Sequence, residues 1–480
     1  MDVTTGQNYI NGQWRESTSG RYISVINPAT EELVARAPDS VQSDVQDAVG
    51  AARAAWEAWR WVNPFARAAH LHEIGKEVSS AEQAMACAIT REMGKPLGEA
   101  LGEVRKLAKA FHYYAEEAKR TTGTIIPNEE DGYTSLVQKE PIGVVAAVSP
   151  WNYPVELIGW KLAASLAAGC TIVVKPSEYS PSAAIEIFRC IERSKLPAGV
   201  ANLVTGAGEA GRALVMHRDI NKVAFTGSEA TGAAIAKAVN GVKPMSMELG
   251  GSCPIIVTES ADVDAAVAGT LRRSFRNAGQ ICIAINRAYV HDSQYEEFMA
   301  RLVKAVTGMV VADGMDMPDA DMGPVSNKVI LEKVHRHVED ARDKGARVLC
   351  GGGPLPGRTR GYFYSPTVLA DCTQEMLVMH KETFGPVVGI APFTHLEEAI
   401  EKANGTDAGL AAYVYASDVR ETFLLARRLD FGNVSVNNVD AGIMNAPYGG
   451  RKGSGYGYEH GREGLEGYLQ LKHVRLHHGA

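Results

Sequence analysis

The sequence predicts an α/β fold made of two domains with largely parallel sheets. From residue 143 to residue 249, short apolar runs alternate with stretches of helical periodicity, and a second alternation of the same kind follows Gly250. Continuous apolar strands separated by helices are typical of parallel βαβ units whose sheets are covered on both faces. A chain of 480 residues is also too long for a single ordinary core.

The apolar periodicity predicts the individual elements. Before about residue 130 we expect mainly helices, at residues 43–61, 63–91 and about 96–120. In the first alternation we expect strands at residues 144–148, 171–174, 201–204, 223–226 and 245–249, with helices near 155–168, 181–194, 209–217 and 229–239. In the second we expect strands at 254–257, 287–290, 347–349, 387–393, 411–415 and 433–437, with helices at 262–276 and 326–344. The first alternation is typical of a dinucleotide-binding fold.

Residues 121–140 and the tail from residue 465 to residue 477 fit neither alternation. The tail ends in a strand-like run at residues 471–476. Strands outside a large sheet leave backbone groups unpaired, and pairing with another subunit satisfies them. We therefore expect a homo-oligomer.

Composition and charge exclude several classes of partner. With 45% hydrophobic residues, 22% charged residues and a net charge of -7, the chain lacks the basic footprint that binds nucleic acid or an anionic membrane. Apolar stretches such as residues 162–174 are too short for a membrane span, and residues 1–6 lack the features of a secretory signal. We therefore expect a cytoplasmic protein that acts on a small molecule.

Cysteines and histidines predict neither a disulfide framework nor a metal site. The seven cysteines are an odd number without CxxC spacing, which fits a reducing compartment. His473, His477 and His478 lie on the expected terminal strand, and His335 and His337 lie on a helix expected to be exposed. We therefore predict that the protein binds no metal.

Two glycine-containing runs carry the clearest chemistry. Cys282 ends the run RNAGQIC, which begins at Arg276, and Glu248 lies in the run MELGG, which begins at Met247. Glycines let the backbone approach a ligand closely, and a thiol with a carboxylate base is suited to covalent catalysis. Cys282 is thus the candidate nucleophile and Glu248 the candidate base.

Three further motifs follow expected strands of the first alternation. Residues 226–232 open a helix. Its free N-terminal amide groups could bind a pyrophosphate, or Ser228 could serve only as the cap of the helix. Lys175 and Glu178 lie at a carboxyl strand end, where they bind a ribose or remain solvated surface charges. Asn152, in the turn PWNYP, either donates to a developing oxyanion or only forms the turn.

Together these motifs resemble one family, the NAD(P)-dependent aldehyde dehydrogenases, over essentially the whole chain. The motifs occur in the family's order: EMGKPL at Glu92, PWNYP at Pro150, KPSE at Lys175, FTGS at Phe225, MELGG at Met247, NAGQIC at Asn277, ETFGP at Glu382 and PYGGRKGSGYG at Pro447. Residues 275–280 and 407–415 look most similar to the succinate-semialdehyde dehydrogenase branch.

The resemblance implies an aldehyde dehydrogenase-like α/β fold with a Rossmann-like cofactor domain, an α/β catalytic domain and a β-ribbon for oligomerisation. It places the NAD(P)-binding domain at residues 1–121 and 142–249, the catalytic domain at 250–450, and the oligomerisation ribbon and tail at 122–141 and 465–480. Homodimers and homotetramers are both common in this family.

By the same resemblance, Cys282 attacks an aldehyde to give a thiohemiacetal, whose oxyanion is held by Asn152 and the backbone amide of Cys282. Hydride transfer to the nicotinamide leaves a thioester. A water activated by Glu248 as general base then hydrolyses the thioester to a carboxylic acid.

The resemblance also implies a set of cofactor-binding residues: Ser149, Trp151, Lys175, Ser177, Glu178, Gly208, Gly227, Ser228, Leu249, Glu382 and Phe384. Lys175 and Glu178 would bind the adenosine ribose, and Ser228 a phosphate. Glu382 and Phe384 would bind the nicotinamide end. The Glu178 carboxylate would repel a 2′-phosphate, which favours NAD, with NADP as the second choice.

The substrate is less determined than the reaction. In the succinate-semialdehyde branch an arginine matching Arg276 helps to bind the distant carboxylate, although a structural ion pair would explain Arg276 equally well. Trp160 stands where the branch carries a second arginine, residues 442–445 lack its pocket serine, and Ala284 replaces its redox-partner cysteine. We expect succinate semialdehyde or another short semialdehyde. The alternative is an aromatic or medium-chain aldehyde in a pocket lined by Trp160 and Met444.

Two other functions stay open from the sequence. An acylating relative would pass the thioester to coenzyme A, but such members usually lack a glutamate at the position of Glu248. A non-catalytic structural or binding role on the same fold is disfavoured by the joint presence of Cys282, Glu248 and Asn152.

Overall fold

A computed structural model describes residues 3–479. Met1, Asp2 and Ala480 lie outside the described residues, so the start of the predicted cofactor domain and the end of the predicted tail fall outside them as well. The fold is mixed α/β with an eight-stranded sheet, a seven-stranded sheet and three small sheets. The predicted fold class is confirmed.

The first 141 residues contain short strands as well as helices. The strands are β1 (Thr4–Thr5), β2 (Asn8–Ile10), β3 (Gln13–Arg15), β4 (Tyr22–Ile26), β5 (Leu33–Pro38), β6 (Thr124–Ile126) and β7 (Tyr133–Pro141). The helices are α1 (Gln42–Trp59), α2 (Pro64–Ser80), α3 (Glu82–Met93) and α4 (Leu97–Ala118). The expectation of a mainly helical start is wrong before residue 40, because strands of two to six residues show no readable periodicity. The helix expected at residues 63–91 is also two helices, which meet at Ala81 where φ is -99° and ψ is 10°.

The first α/β region forms the eight-stranded sheet. Its strands are β8 (Val144–Val148), β9 (Thr171–Lys175), β10 (Ala201–Leu203), β11 (Lys222–Thr226) and β12 (Met245–Glu248), and its helices are α5 (Glu156–Ala168), α6 (Pro181–Arg193), α7 (Gly208–Met216) and α8 (Glu229–Ala238). β8 pairs in parallel with β9 and β11, while β10 extends β9 and β12 extends β11. The hairpin β2–β3 adds to β10 in antiparallel fashion. The predicted parallel core is confirmed.

The second α/β region forms the seven-stranded sheet. Its first half contains β13 (Cys253–Val257), α9 (Val263–Phe275), β14 (Ile285–His291), α10 (Asp292–Thr307), α11 (Lys328–Asp343), β15 (Arg347–Cys350) and β16 (Thr367–Ala370). Its second half contains α12 (Leu377–His380), β17 (Val387–Phe393), α13 (Leu396–Asn404), β18 (Ala408–Gly409), β19 (Ala411–Tyr415), α14 (Val419–Arg428) and β20 (Asn433–Val436). The sheet order is β15-β16-β17-β14-β13-β19-β20, with β15 antiparallel to its neighbour. All six predicted strands are present; β16 is an additional strand of this sheet, and β18 is an additional short strand outside it.

The last residues return to the earlier sheets. They form β21 (Arg451–Lys452), β22 (Gly455–Tyr456), α15 (Gly461–Glu466) and β23 (Leu469–His477). β22 pairs with β12 beside Glu248, and β23 pairs with β7 along its whole length. The predicted ribbon and tail thus form one three-stranded sheet of order β23-β7-β6.

The parallel strands bring the predicted site motifs to one edge of the first sheet. The PWNYP turn follows β8, Lys175 ends β9, Gly227 follows β11 and Glu248 ends β12. These are the carboxyl ends of parallel strands, where open α/β sheets bind ligands. The domain boundaries themselves stay a prediction. None of the helices within residues 3–479 has the length and apolar character required to cross a membrane.

Candidate active site

Cys282 lies in the turn between α9 and β14, as predicted. Before it, Asn277 and Ala278 adopt positive φ values of 50° and 52°, which are uncommon for residues with a side chain. The Asn277 amide donates to the carbonyl oxygens of Asn152 and Gln280 at 3.1 and 3.2 Å. The loop that carries the candidate nucleophile is therefore held in a strained shape by side-chain hydrogen bonds.

Among residues 3–479, the sulfur of Cys282 has one polar side-chain neighbour in hydrogen-bonding range. The Tyr448 hydroxyl lies 3.4 Å from Cys282 Sγ. Burial raises the pKa of the Cys282 thiol to about 12, and the Tyr448 hydroxyl opposes that rise. With this raised pKa, the Cys282 thiol is mostly protonated at neutral pH in the free site. It must lose its proton before it can attack, because the thiolate is the nucleophilic form.

Asn152 is held against the Cys282 loop by backbone and side-chain hydrogen bonds. Its amide donates to Gln280 O at 3.0 Å. Its carbonyl accepts from the fully buried Lys95 at 2.9 Å, and Lys95 forms an ion pair with Glu103. Since an amide nitrogen carries two hydrogens, Asn152 keeps a second donor for an oxyanion.

Glu248 is buried at the end of β12, with a relative exposure of 3%. Neither of its carboxyl oxygens has a hydrogen-bond partner among residues 3–479. Burial raises the pKa of Glu248 well above its ordinary value, the Glu459 carboxylate raises it further, and Lys161 lowers it. A raised carboxyl pKa suits a general base that operates near neutral pH.

Lys161 and Glu459 form a buried ion pair next to Glu248 that the sequence did not predict. Lys161 Nζ lies 2.6 Å from Glu459 Oε1 and donates to Thr226 Oγ1 at 2.5 Å. The ion pair joins positions 298 residues apart. The available signal was a lysine within α5, a helix whose residues are otherwise almost all apolar and are all buried.

A groove of about 510 Å³ runs along the carboxyl ends of β8, β9 and β11. It is lined by eight predicted cofactor residues: Ser149, Trp151, Lys175, Ser177, Glu178, Gly208, Gly227 and Ser228. Lys175 is buried and lies 3.5 Å from Glu178, so the alternative of a solvated surface charge is wrong for Lys175. Ser228 accepts from Thr231 N at 3.2 Å as the cap of α8, and it lines the groove as well.

This groove fits a dinucleotide. A capped helix N-terminus faces it, where amide groups favour a pyrophosphate. A Cβ at Gly227 would lie 2.4 Å from the Phe225 ring, so glycine keeps the backbone bare at that point. Lys175 and Glu178 supply a cation and a hydroxyl acceptor at the end formed by β9.

A second cavity of about 160 Å³ connects the groove to the candidate catalytic residues. It shares Trp151, Gly227 and Ser228 with the groove and is also lined by Asn152, Glu248, Leu249, Cys282, Glu382 and Phe384. Glu382 accepts from Gly251 N at 3.0 Å, and the rings of Trp151 and Phe384 pack edge to face 5.5 Å apart. All the predicted catalytic and cofactor residues thus lie in one continuous site.

A third pocket, of about 240 Å³, is lined by Cys282, Asn152 and the predicted substrate residues Arg276 and Trp160. Four cations line it, Lys106, Arg272, Arg273 and Arg276, together with two carboxylates: Glu156 pairs with Lys106, and Asp440 pairs with Arg272 and Arg273. Arg276 Nε lies 3.4 Å from Glu99 Oε2, so Arg276 forms a structural ion pair. It also lines the pocket, so the two alternatives predicted for this residue are compatible.

Aromatic rings form another part of the same pocket. Trp160, Tyr448 and His460 line it, and their ring centroids lie 4.1 to 5.6 Å apart. Met444 is buried but does not line the pocket, whereas the adjacent Ile443 does. Sequence reasoning missed Tyr448 and His460, although Tyr448 lies within the motif PYGG.

The histidines do not all behave as predicted. His337, expected on an exposed helix, is buried and hydrogen-bonds through Nδ1 to Thr383 Oγ1 at 3.1 Å. Burial lowers the pKa of His337 to about 4. No cluster of three or more His, Cys, Asp or Glu side chains suited to a metal ion occurs in the described part of the chain.

Comparison with known proteins agrees with this geometry. A model of the aldehyde dehydrogenase family matches residues 14–474. The chain belongs to the aldehyde dehydrogenase family.

Several curated relatives of this aldehyde dehydrogenase act on short acidic aldehydes according to their names. The mitochondrial succinate-semialdehyde dehydrogenase of Oryza sativa is 39% identical over 98% of this chain and 89% of the relative. The 3-sulfolactaldehyde dehydrogenase of Pseudomonas putida is 39% identical over 98% and 96%. The NADP(+) succinate-semialdehyde dehydrogenase of Escherichia coli is 38% identical over 98% and 97%.

Solved structures show the same fold. An E. coli NADP-dependent enzyme has a TM-score of 0.97 and 38% identity, covering 99% of this chain and 98% of its own. The betaine aldehyde dehydrogenase of Staphylococcus aureus, solved with NAD+, has a TM-score of 0.96 and 34% identity, covering 99% and 95%. These matches support NAD as the cofactor of this aldehyde dehydrogenase, with NADP as a second.

Proposed function

We propose that this aldehyde dehydrogenase converts a short aldehyde to a carboxylic acid through a thioester on Cys282. The observation that carries the proposal is the position of Cys282 and Asn152. Both residues line the cavity that joins the dinucleotide groove, and both line the 240 Å³ pocket. A nucleophile shared by a cofactor cavity and a substrate pocket can bring an aldehyde carbon next to a hydride acceptor.

Covalent attack begins at Cys282. The Cys282 thiol gives its proton to solvent water, the thiolate sulfur bonds to the aldehyde carbon, and the electrons of the C=O double bond move to oxygen, which becomes an oxyanion. The free N–H of the Asn152 amide and the backbone N–H of Cys282 donate to that oxyanion. Because Asn152 is already held by Gln280 and Lys95, little reorganisation is needed when the charge develops.

Oxidation and hydrolysis follow from the remaining residues. The groove residues would hold NAD(P)+, with Glu382 and Phe384 at the inner end, and the bound cofactor would supply the hydride acceptor. Loss of hydride from the adduct leaves a thioester on Cys282. Glu248 takes a proton from water, and the resulting hydroxide attacks the thioester carbon. The acid is released, and the proton passes from Glu248 to the departing thiolate, which restores the Cys282 thiol. The opposing effects of Glu459 and Lys161 tune the pKa of that base.

For the substrate we propose a short semialdehyde, with succinate semialdehyde as the first choice. The pocket of about 240 Å³ is lined by four cations and only two carboxylates, Glu156 and Asp440, and this excess of positive charge suits a small aldehyde with an anionic end. Arg276 is the cation predicted for that end. The relatives named for succinate semialdehyde support this choice. The alternative, an aromatic or medium-chain aldehyde, is favoured by the rings of Trp160 and Tyr448 in the same pocket.

We also propose a homodimer or homotetramer that assembles through the ribbon sheet β23-β7-β6. Both of its outer strands, β6 and β23, have an unpaired edge within residues 3–479. Ile125 and Leu471 on these strands are 73% and 71% exposed. Exposed apolar residues on free strand edges favour pairing with another copy. A cytoplasmic location stays a prediction.

One experiment tests the proposed reaction. The purified protein is incubated with NAD+ or NADP+ and a panel of succinate semialdehyde, butanal and benzaldehyde, while the absorbance of reduced nicotinamide is followed. We expect turnover, lost in Cys282→Ala and retained in Cys350→Ala, which changes a partly buried cysteine on β15. Equal activity of Cys282→Ala and the unmodified protein would exclude the thioester route. Absence of turnover with every aldehyde would favour the non-catalytic role, and turnover only with added coenzyme A the acylating one.

A further inference from the structure

His460 occupies a backbone conformation that residues with side chains rarely adopt. Its φ is 61° and its ψ is 174°. This region is populated almost entirely by glycine, because a Cβ is crowded there. The His460 side chain is buried, with a relative exposure of 3%, and it lines the pocket that contains Cys282. Such an outlier in a ligand pocket points to a function for the side chain.

Within the described residues, one side-chain hydrogen bond fixes the tautomer of the neutral His460 ring. Nδ1 lies 3.1 Å from the carbonyl oxygen of Ile443. A carbonyl oxygen only accepts, so Nδ1 carries the hydrogen and Nε2 carries a lone pair. Burial lowers the pKa of His460 to about 3, which keeps the ring neutral at physiological pH. His460 therefore offers a hydrogen-bond acceptor at Nε2.

That acceptor lies in a group with an unused donor. Within the described chain, neither His460 Nε2 nor Trp160 Nε1 has a hydrogen-bond partner, although both atoms are buried. The two rings pack edge to face with centroids 4.1 Å apart. Both residues line the same 240 Å³ pocket as Cys282. Buried polar atoms without partners are costly and are normally satisfied by a ligand or water.

An unpaired indole is not by itself a sign of a ligand. Trp56 and Trp59 on α1 also have buried N–H groups without partners, and neither lines this pocket. Trp160 differs because a buried acceptor without a partner, His460 Nε2, lies on the ring packed against it, whereas the His70 ring 5.7 Å from Trp59 has no such buried atom. The combination of a donor, an acceptor and a strained backbone in one substrate pocket carries the inference.

A hydroxyl group matches this pair, because one hydroxyl accepts from an indole N–H and donates to an imidazole nitrogen. A carboxylate has no hydrogen to give to His460 Nε2, and a methyl group satisfies neither atom. We propose that Trp160 and His460 form a subsite for a hydroxyl group on the aldehyde substrate. The inference rests on the proposed aldehyde oxidation and narrows its substrate to a hydroxylated short aldehyde. An anionic end is still served by Arg276.

The test compares propanal with 2-hydroxypropanal and 3-hydroxypropanal by kcat/KM in the intact enzyme. We expect at least one hydroxyaldehyde to exceed propanal. Trp160→Phe keeps an aromatic ring but removes the N–H, and it should lower the hydroxyaldehyde-to-propanal ratio about 3- to 10-fold. We divide the hydroxyaldehyde-to-propanal ratio of the variant by the same ratio of the wild-type enzyme. This quotient cancels differences in aldehyde hydration and any general loss of activity.

Two further variants keep the test decisive. His460→Gly suits the observed backbone and removes the acceptor, so it should lower the same ratio. Trp59→Phe makes the matched change at an unpaired indole outside the pocket and should leave the ratio as it is. If the wild-type enzyme oxidises aldehydes but Trp160→Phe and His460→Gly leave the ratio unchanged, water and not a substrate hydroxyl satisfies the pair, and the subsite is excluded. If the wild-type protein oxidises no aldehyde at all, the proposed function fails instead.

Discussion

The hydroxyl of Tyr448 lies 3.4 Å from the sulfur of Cys282, across 166 positions of sequence. Burial raises the pKa of the Cys282 thiol, and a hydroxyl that donates to the thiolate lowers it again. The pKa of Tyr448 is itself held well above its usual range, first by burial and then by the charge of Cys282, so this tyrosine keeps its proton. Tyr448 is therefore placed to stabilise the nucleophilic form of the cysteine.

The pH dependence of thiol reactivity tests this relationship. Since burial raises the pKa of Cys282 to about 12, we expect the rate of Cys282 alkylation by iodoacetamide to rise about tenfold per pH unit from pH 7 to pH 10. Tyr448→Phe should slow alkylation at each pH, because the thiolate loses a donor. The rate is measured by mass spectrometry of the Cys282 peptide, with the Cys350 peptide as internal control. A rate that levels off by about pH 10 would show that the thiol titrates near its ordinary pKa of about 8.5 and not far above it.

Glu248→Gln separates hydride transfer from hydrolysis. Removing the base should slow thioester hydrolysis by about 10²- to 10⁴-fold, while the first hydride transfer continues. Rapid mixing should then show a burst of about one reduced nicotinamide per active site, followed by slow turnover. A variant with full steady-state turnover would rule out Glu248 as the base.

The Lys161–Glu459 ion pair should contribute to the thermal stability of the protein. Lys161→Met leaves the Glu459 carboxylate buried without its partner, which costs about 3–5 kcal/mol. The double variant Lys161→Met with Glu459→Gln removes both charges and should be less destabilised than the single variant. Thermal unfolding followed by circular dichroism gives the order of Tm values. A double variant that melts below Lys161→Met would contradict the buried pair.

Arg276→Ala tests the acidic end of the substrate. Loss of a charge-assisted hydrogen bond to a carboxylate should lower kcat/KM for succinate semialdehyde about 10- to 100-fold, with little change for butanal. Glu99→Gln is the informative partner variant, because it frees Arg276 from its ion pair and should not reproduce the selective loss. An equal loss for both aldehydes would assign Arg276 a structural role only.

Glu178→Gln tests the choice of cofactor. The carboxylate of Glu178 lines the groove, and its repulsion of a 2′-phosphate should disappear in the variant. We expect the NADP+ to NAD+ ratio of kcat/KM to rise about fivefold at low salt and less at high salt. Glu332→Gln, on the exposed side of α11, is the matched control. An unchanged ratio would place the 2′ position away from Glu178.

Local patterns in the sequence predicted the parallel strands and most of the site. β8, β17 and β19 begin and end at the predicted residues, because apolar runs of five to seven residues with glycine or proline nearby favour a covered strand over a helix. Cys282, Glu248 and Asn152 were found because each lies in a contiguous motif. Short motifs fix local backbone shape, and parallel pairing then brings their carboxyl ends together.

Elements stabilised mainly by distant pairing were missed. The hairpin β2–β3 is held by β10, and β16 by β17. A strand of three or four residues shows no recognisable sequence pattern when its partner strand lies elsewhere in the chain, because the contacts that stabilise it are not local.

The sequence alone predicted most of the strands and helices, and it pointed to Cys282, Asn152 and Glu248 as the candidate nucleophile, oxyanion donor and base. Only the tertiary structure decided what surrounds them: Tyr448 against the sulfur, the Lys161–Glu459 pair beside the base, and His460 in the substrate pocket. The physical reason is that pKa values and pocket shape depend on burial and on through-space contacts. Those contacts join residues as far apart as 298 positions, and no local pattern encodes them.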